Sequence, residues 1–192
     1  MVNIVTRGFA LLFYLSRIVY WWITEGKANK EKPKREKKSF RNIISRIFTD
    51  CVDVFILLQL AGLSVLPIPG NIILFQWVGL ALIVAGTRIC IVARKQMGAN
   101  WVHGAEYQIK QKQELVTTGI YAYIRHPIYM GVFLMYIGSE LIAGSYLVIS
   151  FLAFFFIFSV QAKREEKILL VHFGDRYREY MKKTKMLVPF VF

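Results

Sequence analysis

The chain has 192 residues, 56% of them hydrophobic, 15% aromatic and only 19% charged, with a formal charge of +13 and a mean hydropathy of +0.44. That balance places it among membrane proteins and excludes an ordinary soluble domain, because apolar runs recur from end to end and leave no separate soluble core. It also excludes a nucleic-acid surface, since the basic residues lie between apolar spans instead of interleaving with stacking aromatics on one face.

The first apolar run, Asn3 to Thr24, is long enough to cross a bilayer at about 1.5 Å per residue. Arg7 and Arg17 weaken it unless they snorkel or face other helices, and Tyr20-Trp21-Trp22 reads as an aromatic belt, not a signal-peptide cleavage site. Residues 26–48 follow as a basic loop, with seven Lys or Arg and two Glu before Ser39 and a short amphipathic stretch after it. Such a loop belongs on the cytoplasmic side.

A second span fits Cys51 to Leu66, an uncharged turn "LPIPGN" occupies 66–71, and a third span runs from Ile72 to Ala93. Arg88 lies in the cytoplasmic half of that span, where facing protein and snorkelling explain it equally well. Residues 94–125, with Trp101, His103, Glu106, Lys110, Lys112 and Glu114, form a polar connector. Two shorter apolar runs, Ile128 to Ala143 and Tyr146 to Val160, joined at "AGS", predict a tight helical hairpin. Cys51 and Cys90 have no metal-ligand or disulfide spacing, so no metal site is expected.

These elements predict an all-α integral membrane protein of about five spans in a single domain, residues 1–192. Three spans fill 1–93, and 94–192 hold the connector, hairpin and C-terminal helix. The N-terminus falls outside, and every basic connector and the C-terminus fall in the cytoplasm.

The chemistry gathers at the cytoplasmic edge. Pro127 suits the first turn of the fourth span, which puts Arg125 and His126 at a helix N-terminus where unpaired N–H groups and the dipole favour an anion. The plainer reading is an Arg that snorkels to lipid phosphates beside a capping His. Downstream, "QAKREEKILLVHFGDRYREYMKKT" (161–184) has an amphipathic pattern bent near Gly174. Its acids Glu165 and Glu166 project about 100° apart, so at most one readily faces a given site, and both could be solvated partners of Lys163, Arg164 and Lys167.

Together, "GIYAYIRHPIYMG" and "EEKILLVHFGDRYREY" resemble the signature of the integral-membrane isoprenylcysteine carboxyl methyltransferases and the related phospholipid N-methyltransferases, over about Glu114 to Phe190. The resemblance implies S-adenosylmethionine as methyl donor, S-adenosylhomocysteine as product and a cytoplasmic pocket in the C-terminal half; consistently, no G-x-G-x-x-G follows a strand. It implies cofactor contacts at Leu115, Val116, Gly119, Tyr121, His126, Tyr129, Glu165 and Glu166. It further implies an acceptor carboxylate held by Arg125, with Glu166 orienting that Arg or meeting the cofactor's ammonium. The acceptor would be a lipid or prenylated substrate entering from the bilayer, most simply an isoprenylated cysteine.

Gln161 stands where the family often has an Arg, with Arg164 as a possible substitute, and Thr184-Lys185 replaces a Val-Pro pair, although Pro189-Phe190 matches. Alternatives are N-methylation of a phospholipid amine, a sterol-type reductase using a nicotinamide cofactor, and a membrane protein without catalysis. The sequence carries no signal for oligomeric state.

Overall fold

The structure, a computed structural model, describes residues 2–29, 40–63, 65–101 and 113–188. Most of the basic loop, the connector residues His103, Glu106, Lys110 and Lys112, and Pro189-Phe190 lie outside the described residues. The described residues form six α-helices: α1 (Val2–Asn29), α2 (Phe40–Ala61), α3 (Ile73–Met97), α4 (Pro127–Ala143), α5 (Phe151–Phe173) and α6 (Asp175–Lys183). Single 3-10 turns fill Gly98–Asn100, Gly119–Ala122 and Tyr146–Ser150, and the β-structure among the described residues is two isolated bridges.

Among the described residues three segments are long and apolar enough to cross a membrane, Ile4–Thr24, Ile73–Asn100 and Tyr146–Phe173, and α4 is a shorter apolar helix. Two expected boundaries are corrected. The amphipathic stretch before Cys51 and the second span are one helix, which begins at Phe40 and stops at Ala61, five residues short of Leu66. The fifth span and the polar tail are likewise continuous: α5 runs through Val160 to Phe173, and the break falls at Gly174 (φ 55°). No helix breaker occurs between 151 and 173, so the change from apolar to charged residues alters the helix's surroundings without ending it.

The closest pairing is α3 against α4, antiparallel, at two glycine crossings. A Cβ on Gly86 would stand 2.5 Å from the Gly131 carbonyl oxygen, and one on Gly79 would stand 2.5 Å from that of Gly138. Small residues at matched seven-residue spacing let two backbones meet where lipid supplies no hydrophobic drive. Around this pair sit Tyr14, Leu60, Ile83, Cys90, Met135 and Ile142, all buried.

Both arginines of α1 face protein. Arg17, 8% exposed, donates to both carboxylate oxygens of Asp53 on α2 (2.9 and 3.0 Å), and Tyr14 Oη reaches Asp53 at 2.5 Å. Arg7 donates through Nη1 to the Gln59 carbonyl at 2.8 Å. These contacts fix α1 antiparallel to α2.

At one end of the bundle the two uncharged turns hold each other: Ile68 N donates to Gly144 O (2.6 Å) and Tyr146 N to Leu66 O (2.9 Å). The chemically rich segments gather at the opposite end, where α4 begins and where α3 and the charged half of α5 finish. There Trp101 meets Trp21 edge-on and carries the Arg94 guanidinium over its ring at 4.2 Å.

Candidate active site

Pro127 opens α4 at its first position, as its fixed φ and missing N–H favour. The preceding residues are pinned from the other side by the segment that follows α6. Arg125 N donates to Lys185 O (2.8 Å), His126 N to Met186 O (3.0 Å) and Lys185 N to Tyr123 O (3.1 Å), a short parallel pairing. Tyr180 on α6 adds a hydrogen bond to the Tyr121 carbonyl at 2.6 Å. The tail after α6 therefore straps the Arg-His-Pro turn. It also occupies the Arg125 and His126 amides, so the α4 amides without intrahelical acceptors start at Ile128.

Five expected site residues converge. The Arg125 side chain, 9% exposed, donates through Nε to Glu166 Oε1 at 2.5 Å, and its Nη1 reaches the Thr184 carbonyl at 2.5 Å and the Met181 carbonyl at 3.4 Å. His126 sits between the two acids, with Nε2 3.3 Å from Glu166 Oε1 and Nδ1 3.7 Å from Glu165 Oε2. Adjacent acids on a helix diverge by about 100°. Both nonetheless face this site, because the imidazole lies inside that angle and presents one nitrogen to each. Tyr129 donates its hydroxyl to Glu165 Oε1, which also takes Gln161 Nε2 at 3.2 Å. Lys163, Arg164 and Lys167 are exposed on other faces, so solvated pairing does not account for the acids.

The rings stack in a column, His126 on Tyr129 (5.5 Å, 6° between planes) and Tyr129 on Phe158 (5.6 Å, 10°). Beyond Tyr129 lies a closed apolar seam between α4 and α5, formed by Tyr129, Met130, Phe133, Phe155, Phe158 and Leu187 and too narrow to admit water. Tyr129 thus joins two environments, its hydroxyl among the charges and its ring on the seam.

The remaining expected contacts lie to one side. Leu115 and Val116 are half-buried in an extended strip along the end of α3, held by Glu114 N to Asn100 Oδ1 (2.8 Å) and Ile120 N to Gln96 Oε1 (2.9 Å). Gly119 takes φ 61° there, and a Cβ would collide with the Gln96 side chain. Tyr121 turns into the protein, 3% exposed, with its hydroxyl on the Ala93 carbonyl at 3.3 Å. Burial pushes that hydroxyl well above the usual tyrosine range, as it does for Tyr177 and Tyr180 on α6.

The sequence reading missed Thr184, Met181 and the strap, which act mainly through backbone carbonyls and leave no residue-type signal; Tyr177 and Tyr180, three apart on an amphipathic helix, were the available hint. Among the described residues no group of three or more His, Cys, Asp or Glu is placed to hold a metal.

The molecule is thus a helical bundle with an Arg-His-Glu-Glu cluster at one end, beside an apolar seam. The phospholipid methyltransferase family profile matches residues 74–176, more than half of the chain, and the chain belongs to that family. Similar curated proteins are the protein-S-isoprenylcysteine O-methyltransferases of Schizosaccharomyces pombe (32% identical, 61% of this chain, 50% of the relative), Dictyostelium discoideum (33%; 59% and 48%) and Homo sapiens (32%; 59% and 40%). The chain thus spans about half the length, or less, of the curated relatives it matches. Its fold is similar to that of a eukaryotic intramembrane Ras methyltransferase, isoprenylcysteine carboxyl methyltransferase, with a TM-score of 0.65 at 23% identity, covering 100% of this chain and 68% of that one. It is accordingly an integral, multi-pass membrane protein.

Proposed function

We propose that the chain methylates the carboxylate of an isoprenylated cysteine, using S-adenosylmethionine. The observation that carries this reading is Tyr129, where the charged cluster and the apolar seam meet: the chemistry of an acceptor with an ionic end and an apolar chain matches both. The names of the curated relatives support the same chemistry.

The residues fit the cofactor. His126 is 8% exposed and its Nε2 lacks a well-aligned hydrogen-bond partner, and two carboxylates flank it. When bound, S-adenosylmethionine supplies an electrophilic methyl on a sulfonium sulfur and leaves as S-adenosylhomocysteine. His126 and the first α4 amides would hold its carboxylate, Glu165 and Glu166 its cationic groups, and Leu115, Val116, Gly119, Tyr121 and Tyr129 the remainder.

Arg125 has one nitrogen, Nη2, that makes no hydrogen bond to the described residues, and it offers this edge to the acceptor carboxylate while Glu166 and Thr184 hold the rest in place. A C-terminal carboxylate has a pKa of about 3.5 and is already ionised at neutral pH, so no general base is required. The methyl that the cofactor would supply would go to an acceptor oxygen held by Arg125. The protein contributes alignment and, through the apolar residues beside Tyr129, exclusion of water.

The bundle's site end carries the exposed Lys163, Arg164, Lys167, Lys182 and Lys183, and the far end the two uncharged turns. That asymmetry supports a cytoplasmic site and C-terminus with the N-terminus outside.

The second reading, N-methylation of a phospholipid amine, is favoured by the matching family description and by Glu165, whose carboxylate faces the site 3.7 Å from His126 Nδ1 and could take the amine's proton. The test is methyl transfer from labelled S-adenosylmethionine by protein in lipid nanodiscs, with S-farnesylcysteine carboxylate, its amide and phosphatidylethanolamine as acceptors. Base-labile label on the carboxylate alone supports the first reading; label on the amine lipid alone replaces it with the second.

A further inference from the structure

At the end of the bundle remote from the site, four helices meet through polar side chains. Glu140 on α4 and Gln59 on α2 are both 0% exposed, and Gln59 Nε2 donates to Glu140 Oε2 at 3.2 Å. Gln76 on α3 reaches the Ile142 carbonyl at 3.5 Å, and Arg7 on α1 holds the Gln59 carbonyl. Glu140 lies fourteen residues along α4 from His126, about 21 Å at 1.5 Å per residue, so it takes no part in the chemistry above.

Two oxygens in this group lack a well-aligned hydrogen-bond partner, Glu140 Oε1 and Gln59 Oε1; the buried Ser145 hydroxyl is the other side-chain donor facing the Glu140 carboxyl group. Buried polar atoms are almost always paired, and each exception calls for a physical account. An ionised Glu140 could draw on the Ser145 hydroxyl but would leave the Gln59 oxygen without any donor. It would also place a bare charge where burial is most costly, since no Lys, Arg or His among the described residues stands within ion-pair distance. The position aggravates this: Glu140 is in the last turn of α4, and the Gly144 amide caps its carbonyl, so the negative end of the helix dipole adjoins the carboxyl group.

One proton resolves all of these conflicts together. We propose that Glu140 is a proton-binding site, a neutral carboxylic acid joined to Gln59 in a cyclic acid–amide pair that pins α2 to α4. The acid O–H donates to the amide oxygen while the amide N–H donates to the acid's other oxygen, and both orphaned atoms gain partners. Turning the amide over leaves the result unchanged, because the carboxyl group still meets one N–H and one C=O. The pair is neutral, so two fully buried polar side chains need no counter-ion.

The test is infrared difference spectroscopy on the full chain in lipid nanodiscs at neutral pH, wild type minus Glu140→Gln. The expected result is loss of a protonated-acid carbonyl band, with no loss in the carboxylate region. Glu140→Gln can still pair amide to amide and is expected to stay folded. Loss of carboxylate absorption with an unchanged acid band would overturn the proposal. Should Glu140→Gln fail to fold, Gln59→Leu provides the second reading: removing the amide acceptor shifts the acid band to higher frequency, and a spectrum without such a band, or with an unmoved one, overturns the proposal equally.

Discussion

Arg125 and Glu166 form an ion pair of 2.5 Å in which the guanidinium also grips the Thr184 carbonyl, so one side chain ties the start of α4 to α5 and to the end of α6. The two side chains are 9% and 8% exposed. Removing one partner from such a pair costs about 3 kcal/mol or more, because the other charge stays buried. Arg125→Ala is therefore expected to lower the unfolding temperature and open the segment after α6 to protease as well as abolish activity. Arg125→Lys keeps the charge, but a single ammonium cannot span both acceptors, so it should recover only part of the stability. Equal protease resistance in wild type and Arg125→Ala would show that the strap does not depend on this residue.

His126→Ala should weaken S-adenosylmethionine binding by at least tenfold, the equivalent of one charge-assisted hydrogen bond of about 1.5–3 kcal/mol. Calorimetry on nanodisc-embedded protein reads this directly. Tyr129→Phe, which removes the hydroxyl donor to Glu165, should lower turnover more than cofactor affinity; unchanged binding in His126→Ala would remove the imidazole from the cofactor site.

The glycine crossings allow a mutation with no chemistry attached. In Gly86→Ala the new methyl meets a backbone carbonyl at 2.5 Å, which cannot rotate away as a side chain can. Overpacking of this kind costs about 1–3 kcal/mol. Gly8→Ala, which meets nothing within 4 Å, is the matched control and should leave thermal unfolding in detergent unmoved.

The Arg17–Asp53 pair predicts non-additivity. Asp53→Leu alone strands a buried guanidinium and should destabilise by about 3–5 kcal/mol, whereas adding Arg17→Met removes the orphaned charge and should restore much of that loss. Additive losses in a double-mutant cycle would mean the two residues act independently.

The strap should also fail in alkali. Burial holds the Tyr121, Tyr177 and Tyr180 hydroxyls protonated above the ordinary tyrosine range. The folded state keeps protons that an unfolded tyrosine releases near pH 10, so this contribution is complete below about pH 10 and is lost as the pH rises beyond it. Proteolysis of α6 followed against pH should rise above that point. Tyr180→Phe should raise proteolysis at neutral pH by loss of the 2.6 Å bond, worth about 1 kcal/mol, and weaken the alkaline response.

Much of this protein follows from its sequence alone. Apolar runs of bilayer length determine the helices, Pro127 marks the start of α4, Gly174 marks the break after α5, and the Arg-His-Pro and Glu-Glu segments mark the residues that converge. These are local facts, set by period, by backbone restrictions and by the cost of burying charge. The tertiary structure decided what the charged residues face. Arg7 and Arg17 read as weaknesses in a span, yet they are the contacts that orient α1 on α2. Glu165 and Glu166 read as divergent, yet one imidazole between them brings both to the site. Glu140 and Gln59, 81 residues apart, carry no mutual signal in the chain. A buried polar group must find its partner wherever packing brings one, and that partner is fixed by the crossing of helices, which no spacing along the sequence records.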